Sequence, residues 1–115
     1  MDAKKPLKKT DDLKGRTLRS ADLVKYQRGA VVSREVLRKP AGTVTLFAFG
    51  QGQALSEHTA PFDALVIGVD GRADISIAGK VHPVGKGEMI VMPAGIPHAL
   101  KAVTRFKMIL VMIKK

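Results

Sequence analysis

Residues 52–71 read GQALSEHTAPFDALVIGVDG and residues 87–102 read GEMIVMPAGIPHALKA. In both stretches the runs of Val, Ile, Leu, Met and Ala stop at glycine or proline before any is long enough for an ordinary helix. Asp70-Gly71 and Pro93-Ala94-Gly95 carry the residues that tight turns demand, and Pro61-Phe62-Asp63 divides the first stretch in two. Segments of this kind predict strands joined by turns.

The same punctuation continues outward at Lys39-Pro40-Ala41-Gly42, Gly50-Gln51-Gly52, Ala78-Gly79-Lys80 and Gly85-Lys86-Gly87. Between the turns the sequence predicts strands over 31–37, 43–49, 53–60, 64–69, 73–77, 81–84, 88–92, 97–103 and 106–113, an all-β protein. Ala73-Asp74-Ile75-Ser76-Ile77 alternates most clearly, with Ala73, Ile75 and Ile77 on the buried face. The last run, from Phe106 to Ile113, is apolar on both faces after Lys107. Such a strand needs a second cover, either the segment before Ala30 or another subunit, and a two-fold homodimer is the preferred expectation.

A chain of 115 residues has room for one domain with one core. Without cysteine it can form no disulfide, thiolate nucleophile or Cys-ligated metal centre. The longest apolar stretch, Met108 to Ile113, is far short of the roughly 20 residues that span a bilayer, and no apolar signal core follows the basic N-terminus, so a cytoplasmic protein without a membrane partner is expected. Residues 1–29 read as a basic N-terminal arm, mobile at least through Gly15, with a short helical turn at 20–24 capped by Ser20; residues 30–115 read as the barrel domain. The net charge is +10, and seven basic against three acidic residues fall in the first twenty. That balance attracts polyanions, yet neither a recognition-helix nor a finger pattern is present, and nucleic acid is not the expected partner.

Two spaced motifs carry more information than composition. Gly52, His58 and Gly71 stand at the spacing G-x5-H-x-H-x3-E-x6-G, and Gly87, Pro93, Gly95 and His98 at the spacing G-x5-P-x-G-x2-H-x3-N. Both patterns resemble the paired motifs of the cupin superfamily, in its small single-domain conserved-barrel form. The resemblance implies a double-stranded β-helix, or jelly-roll barrel, over roughly 30–113. It also implies that the positions of His58, Ala60, Ala64 and His98 are those which, in relatives with the full set, hold a divalent metal as three His and one Glu. Here Ala60 stands for the second His and Ala64 for the Glu. Two imidazoles alone make a weak site, so at most a loosely held divalent ion such as Zn, Ni, Fe or Mn is expected at His58 and His98. Asp63 and Glu57 have the wrong parity to compensate, and His82 reads as a surface residue. Equally, the two histidines could simply be buried polar residues bonded to each other, to water or to backbone carbonyls.

The loss of two ligands leaves a more apolar pocket, with His58, Ala60, Ala64, Val66, Met92, His98, Gln53 and one face of residues 43–49 as its expected lining. Three readings follow. The preferred one is a barrel that binds a small organic ligand; the second is an isomerase, lyase or metal-dependent oxygenase working through His58 and His98; the third is an interaction protein acting through its basic arm. No residue names a catalytic role.

Overall fold

The computed structural model describes residues 13–114. Nine strands follow one another: β1 (Val31–Lys39), β2 (Gly42–Phe49), β3 (Ala54–His58), β4 (Ala64–Asp70), β5 (Arg72–Ile77), β6 (Lys80–Gly85), β7 (Met89–Met92), β8 (His98–Ala102) and β9 (Phe106–Ile113). They form two antiparallel sheets, ordered β1-β2-β9-β4-β7 and β3-β8-β5-β6, which face each other as a jelly-roll barrel. Every expected strand is present, with ends moved by no more than two residues. β1 runs on to Lys39 because Lys39 pairs directly with Gly42, leaving only Pro40 and Ala41 to turn the chain. At the β4–β5 hairpin Gly71 has φ +73°, and a Cβ there would run into the carbonyl of Arg105, so both the turn and the close approach require glycine.

The inner faces meet in one core, and register fixes which end of the barrel is solid. Phe49 pairs with Phe106; both rings are fully buried, with centroids 6.1 Å apart, and Phe47 stacks on Phe49 at 5.9 Å. This aromatic group plugs one end. Six residues further along β9 from Phe106, roughly 20 Å at strand rise, Met112 pairs with Ala64, and the barrel there is hollow.

The outer face of the larger sheet is covered from within the chain. Val24 is buried against Leu46 and Ala48, and Leu23, Tyr26, Val69 and Ile109 pack around them. Polar bonds hold the same segment down: Tyr26 Oη donates to Asp70 at 2.5 Å, Lys107 Nζ to the Ala21 carbonyl at 2.6 Å, and an Arg34 guanidinium nitrogen to the Leu23 carbonyl at 3.3 Å. The segment before Ala30 therefore supplies part of the second cover that β9 needs. Leu13 is also buried; the basic residues 1–12 lie outside the described residues. The expected helical turn is a 3-10 turn, Ser20–Asp22, with Arg19 rather than Ser20 in the capping position and no side-chain cap. Backbone bonds from Asp22 to Arg19 and from Leu23 to Ser20 close it, which leaves Ser20 inside the turn.

Tyr26 is the principal staple of this segment. Its phenol is pushed above the ordinary tyrosine range, first by burial and then by the hydrogen bond and negative charge of Asp70, against the opposing charge of Arg105. A raised pKa in the folded state means that the stabilisation is full below the unfolded value of about 10 and declines as pH rises beyond it. Tyr26→Phe should cost about 2 kcal/mol at pH 7, because it leaves the Asp70 carboxylate without its donor. In chemical denaturation, the gap between wild type and Tyr26→Phe should stay constant up to about pH 10 and close above it; a constant gap at pH 11 would contradict the role given to Tyr26.

Candidate functional site

His98 opens β8 and His58 ends β3, and the two are cross-strand partners. A bulge sets this up. Leu55 faces Leu100 and His58 faces His98, so a step of three residues on β3 matches a step of two on β8. The extra residue turns Leu55 and His58 to the same side, although regular alternation would separate them. Both line a cavity of about 70 Å³ at the hollow end of the barrel, together with Ala60, Ala64, Val66, Met92, His98, Ala99, Leu100, Met108, Leu110 and Met112. A wider hollow of about 450 Å³ lies on the surface beside Tyr26, Gly50 and Arg105, but its walls are mostly exposed loop residues. The smaller cavity is the one lined by both motif histidines.

His98 is 6% exposed, whereas His58 stands at the exposed rim. Their rings meet edge to face, 70° apart, with centroids at 4.4 Å and Nε2 atoms at 3.1 Å. Nδ1 of His58 lies 2.7 Å from the Ser56 carbonyl oxygen, and Nδ1 of His98 lies 3.2 Å from that of Ile96. A carbonyl oxygen only accepts, so each Nδ1 carries the proton and each neutral ring turns an unprotonated Nε2 toward the other. A hydrogen bond between the two Nε2 atoms therefore requires one further proton.

Of the residues expected in the pocket, His58, Ala60, Ala64, Val66, Met92 and His98 line this cavity. Gln53 does not: it precedes β3, and its backbone exchanges hydrogen bonds with Gly50 and Ala102, away from the histidines. Residues 43–49 are also absent from the lining, because Phe47 and Phe49 fill the opposite end. His82 is half-buried on β6, beside Ile75, and lies outside the cavity. Sequence reasoning missed Leu55, hidden by the bulge, and Met108, Leu110 and Met112, whose signal was the even parity of the last strand.

All four positions of a three-His, one-Glu metal set border the cavity, but only two carry a donor. Asp63 cannot replace the carboxylate, since its Oδ1 accepts a 2.8 Å bond from the Ala94 N–H and holds the loop before β8. Among the described residues no three His, Asp or Glu side chains come together. The site does not fit a divalent metal that needs three or four imidazole and carboxylate ligands.

A sequence model described as Cupin domain matches residues 45–114. The chain belongs to the cupin family. A conserved protein of unknown function from Streptococcus pyogenes is 37% identical, with a TM-score of 0.84 over 88% of this cupin and 89% of that chain. A cupin 2 conserved barrel domain protein from Leptotrichia buccalis is 42% identical over 82% of this cupin, which spans 46% of that longer chain, with a TM-score of 0.79. A cupin superfamily protein from Desulfitobacterium hafniense, 24% identical, shares the fold at a TM-score of 0.85 over 96% of this cupin and all of that chain. No protein of curated function matches.

Restoring the missing donors gives a direct check on convergence. Ala60→His combined with Ala64→Glu should bind one divalent ion per chain, measured by calorimetric titration with zinc or nickel, where wild type binds at least tenfold more weakly. A folded double variant with no gain would show that the four positions do not meet.

Proposed function

We propose that this cupin is a binding module rather than a catalyst, holding a small, mainly apolar guest in the barrel cavity. The observation that carries this reading is the pair of Nε2 acceptors locked by backbone carbonyls at the mouth of an otherwise apolar chamber. Such a pair favours a guest with one hydrogen-bond donor, a hydroxyl or an amine, whose remaining atoms are carbon. The volume of about 70 Å³ is well below the roughly 300 Å³ at which pockets for drug-sized ligands begin. A guest of a handful of heavy atoms fits, and the flexible side chains of Met92, Met108 and Met112 can yield to a slightly larger one.

The enzymatic reading has less support. Neither imidazole is paired with a carboxylate, both Nδ1 atoms being spent on carbonyls, and no third donor stands across the cavity to share acid–base work. The interaction reading through the basic arm rests on the sequence alone.

A panel of short-chain alcohols and amines, tested by thermal shift, should include compounds that raise the melting temperature of wild type. Ala64→Leu fills the chamber and should abolish those shifts while the variant remains folded. Shifts that persist in Ala64→Leu would place the guest elsewhere and overturn the reading.

We also infer that the protein is a homodimer. Leu37, Val44, Val111, Leu65 and Val91 are successive cross-strand partners and form an apolar row across all five strands of the larger sheet's outer face. Leu37 is 40% and Val91 56% exposed, with Met89 and Ile113 exposed beside them. A continuous uncharged row is what a self-complementary interface needs, and a second copy supplies the same row in return. Light scattering at tens of micromolar should give twice the chain mass for wild type and the chain mass for Leu37→Lys/Val91→Lys, which alters only residues already exposed. A monomeric wild type would contradict the inference.

A further inference from the structure

The two Nε2 atoms sit 3.1 Å apart, and the carbonyl bonds at Nδ1 leave a lone pair on each. Facing lone pairs at that distance repel unless a positive charge lies between or beside them. A metal ion bonded to two imidazole nitrogens at about 2.0–2.1 Å holds them roughly 3.3 Å apart at a tetrahedral angle. The 3.1 Å spacing suits a shared proton and, within a few tenths of an ångström, also suits two ligands of one ion.

The surroundings decide which ion. No oxygen side chain lines the cavity, which excludes hard cations such as magnesium and calcium. No carboxylate is present to offset a double charge, and because the cost of moving an ion out of water grows as the square of its charge, a divalent ion would pay about four times what a monovalent one does. What the lining does supply is methionine: Met92, Met108 and Met112. Met92 on β7 and Met112 on β9 are the register partners of Ala64 from opposite sides, and both line the cavity. Where the family pattern has a carboxylate, this chain has an alanine between two methionines.

We propose that the cavity is a site for copper(I), held by Nε2 of His58, Nε2 of His98 and the thioether of Met92 or Met112. Imidazole with thioether is a neutral, soft ligand set suited to copper(I), and its lack of a negatively charged ligand disfavours a divalent ion. The binding of an organic guest is not required: the ion uses the same two nitrogens, so copper(I) and a guest exclude each other.

The test uses the full-length protein under oxygen-free, reducing conditions, with copper(I) offered in competition with a chromophoric copper(I) chelator. Wild type should retain one copper per chain. Met92→Leu/Met112→Leu, checked for folding by circular dichroism, should weaken binding at least tenfold. Selenomethionine-labelled wild type provides a readout that needs no substitution: X-ray absorption at the selenium edge should show copper beside selenium. Failure of wild type to hold copper, unchanged affinity in the folded double variant, or a copper shell of nitrogen alone would each overturn the proposal. Each of these outcomes is independent of whether any alcohol or amine binds.

Discussion

The fold depends on β9 lying at the centre of the five-stranded sheet, between β2 and β4, with apolar side chains on both faces. Its even residues, Phe106, Met108, Leu110 and Met112, point into the barrel, and its odd residues, Ile109, Val111 and Ile113, point out. Burying apolar area is worth roughly 25 cal/mol per Å², so neither face can be left to water across its whole length without loss. The inner face is satisfied by the opposing sheet. The outer face is satisfied near Ile109 by residues 23–26, which explains why a polar, basic leader carries Leu23, Val24 and Tyr26 at its end, and it is left bare near Val111 and Ile113.

The site follows from the same strand. Leu110 and Met112 reach the hollow end of the barrel because Phe106, at the start of β9, is committed to the aromatic plug. Opposite them, the β3 bulge brings His58 level with His98, and the carbonyls of Ser56 and Ile96, each two residues before its histidine, fix both rings by one local device. The tautomer is thus set by backbone geometry rather than by a carboxylate. That arrangement turns both Nε2 atoms toward each other at the cavity and leaves neither ring beside the charged partner that a proton-transferring histidine usually has.

Most of the architecture was legible because turns are written in the sequence. Gly71, Pro93 and Gly95 stop the chain wherever they occur, and the strands are what remains between such stops. The cavity was less legible. Alternation placed His58, Ala60 and Ala64 on one side, but a bulge changes parity at a point that leaves no mark in residue type, which hid Leu55. Gln53 was assigned to the pocket by counting along a strand that actually starts after it. Ser20 has the chemistry of a helix cap, yet a three-residue turn closed by its own backbone has no use for one. The methionines of β9 were not placed in the pocket because a two-sided apolar run conceals which face lines it.

Two alanines at ligand positions look, in the sequence alone, like simple decay of a metal site. The register gives them another meaning. A carboxylate at position 64 would sit between Met92 and Met112, where its charge would need a cation and its bulk would crowd both side chains. Alanine removes both demands and lets the thioethers fill the space, which is why a barrel missing two large polar groups encloses only about 70 Å³. Ala64, Met92 and Met112 therefore form one structural unit: changing the alanine alone alters the chamber's size, polarity and ligand chemistry together. The constraint that gives β9 two apolar faces thus also determines what the cavity is able to hold.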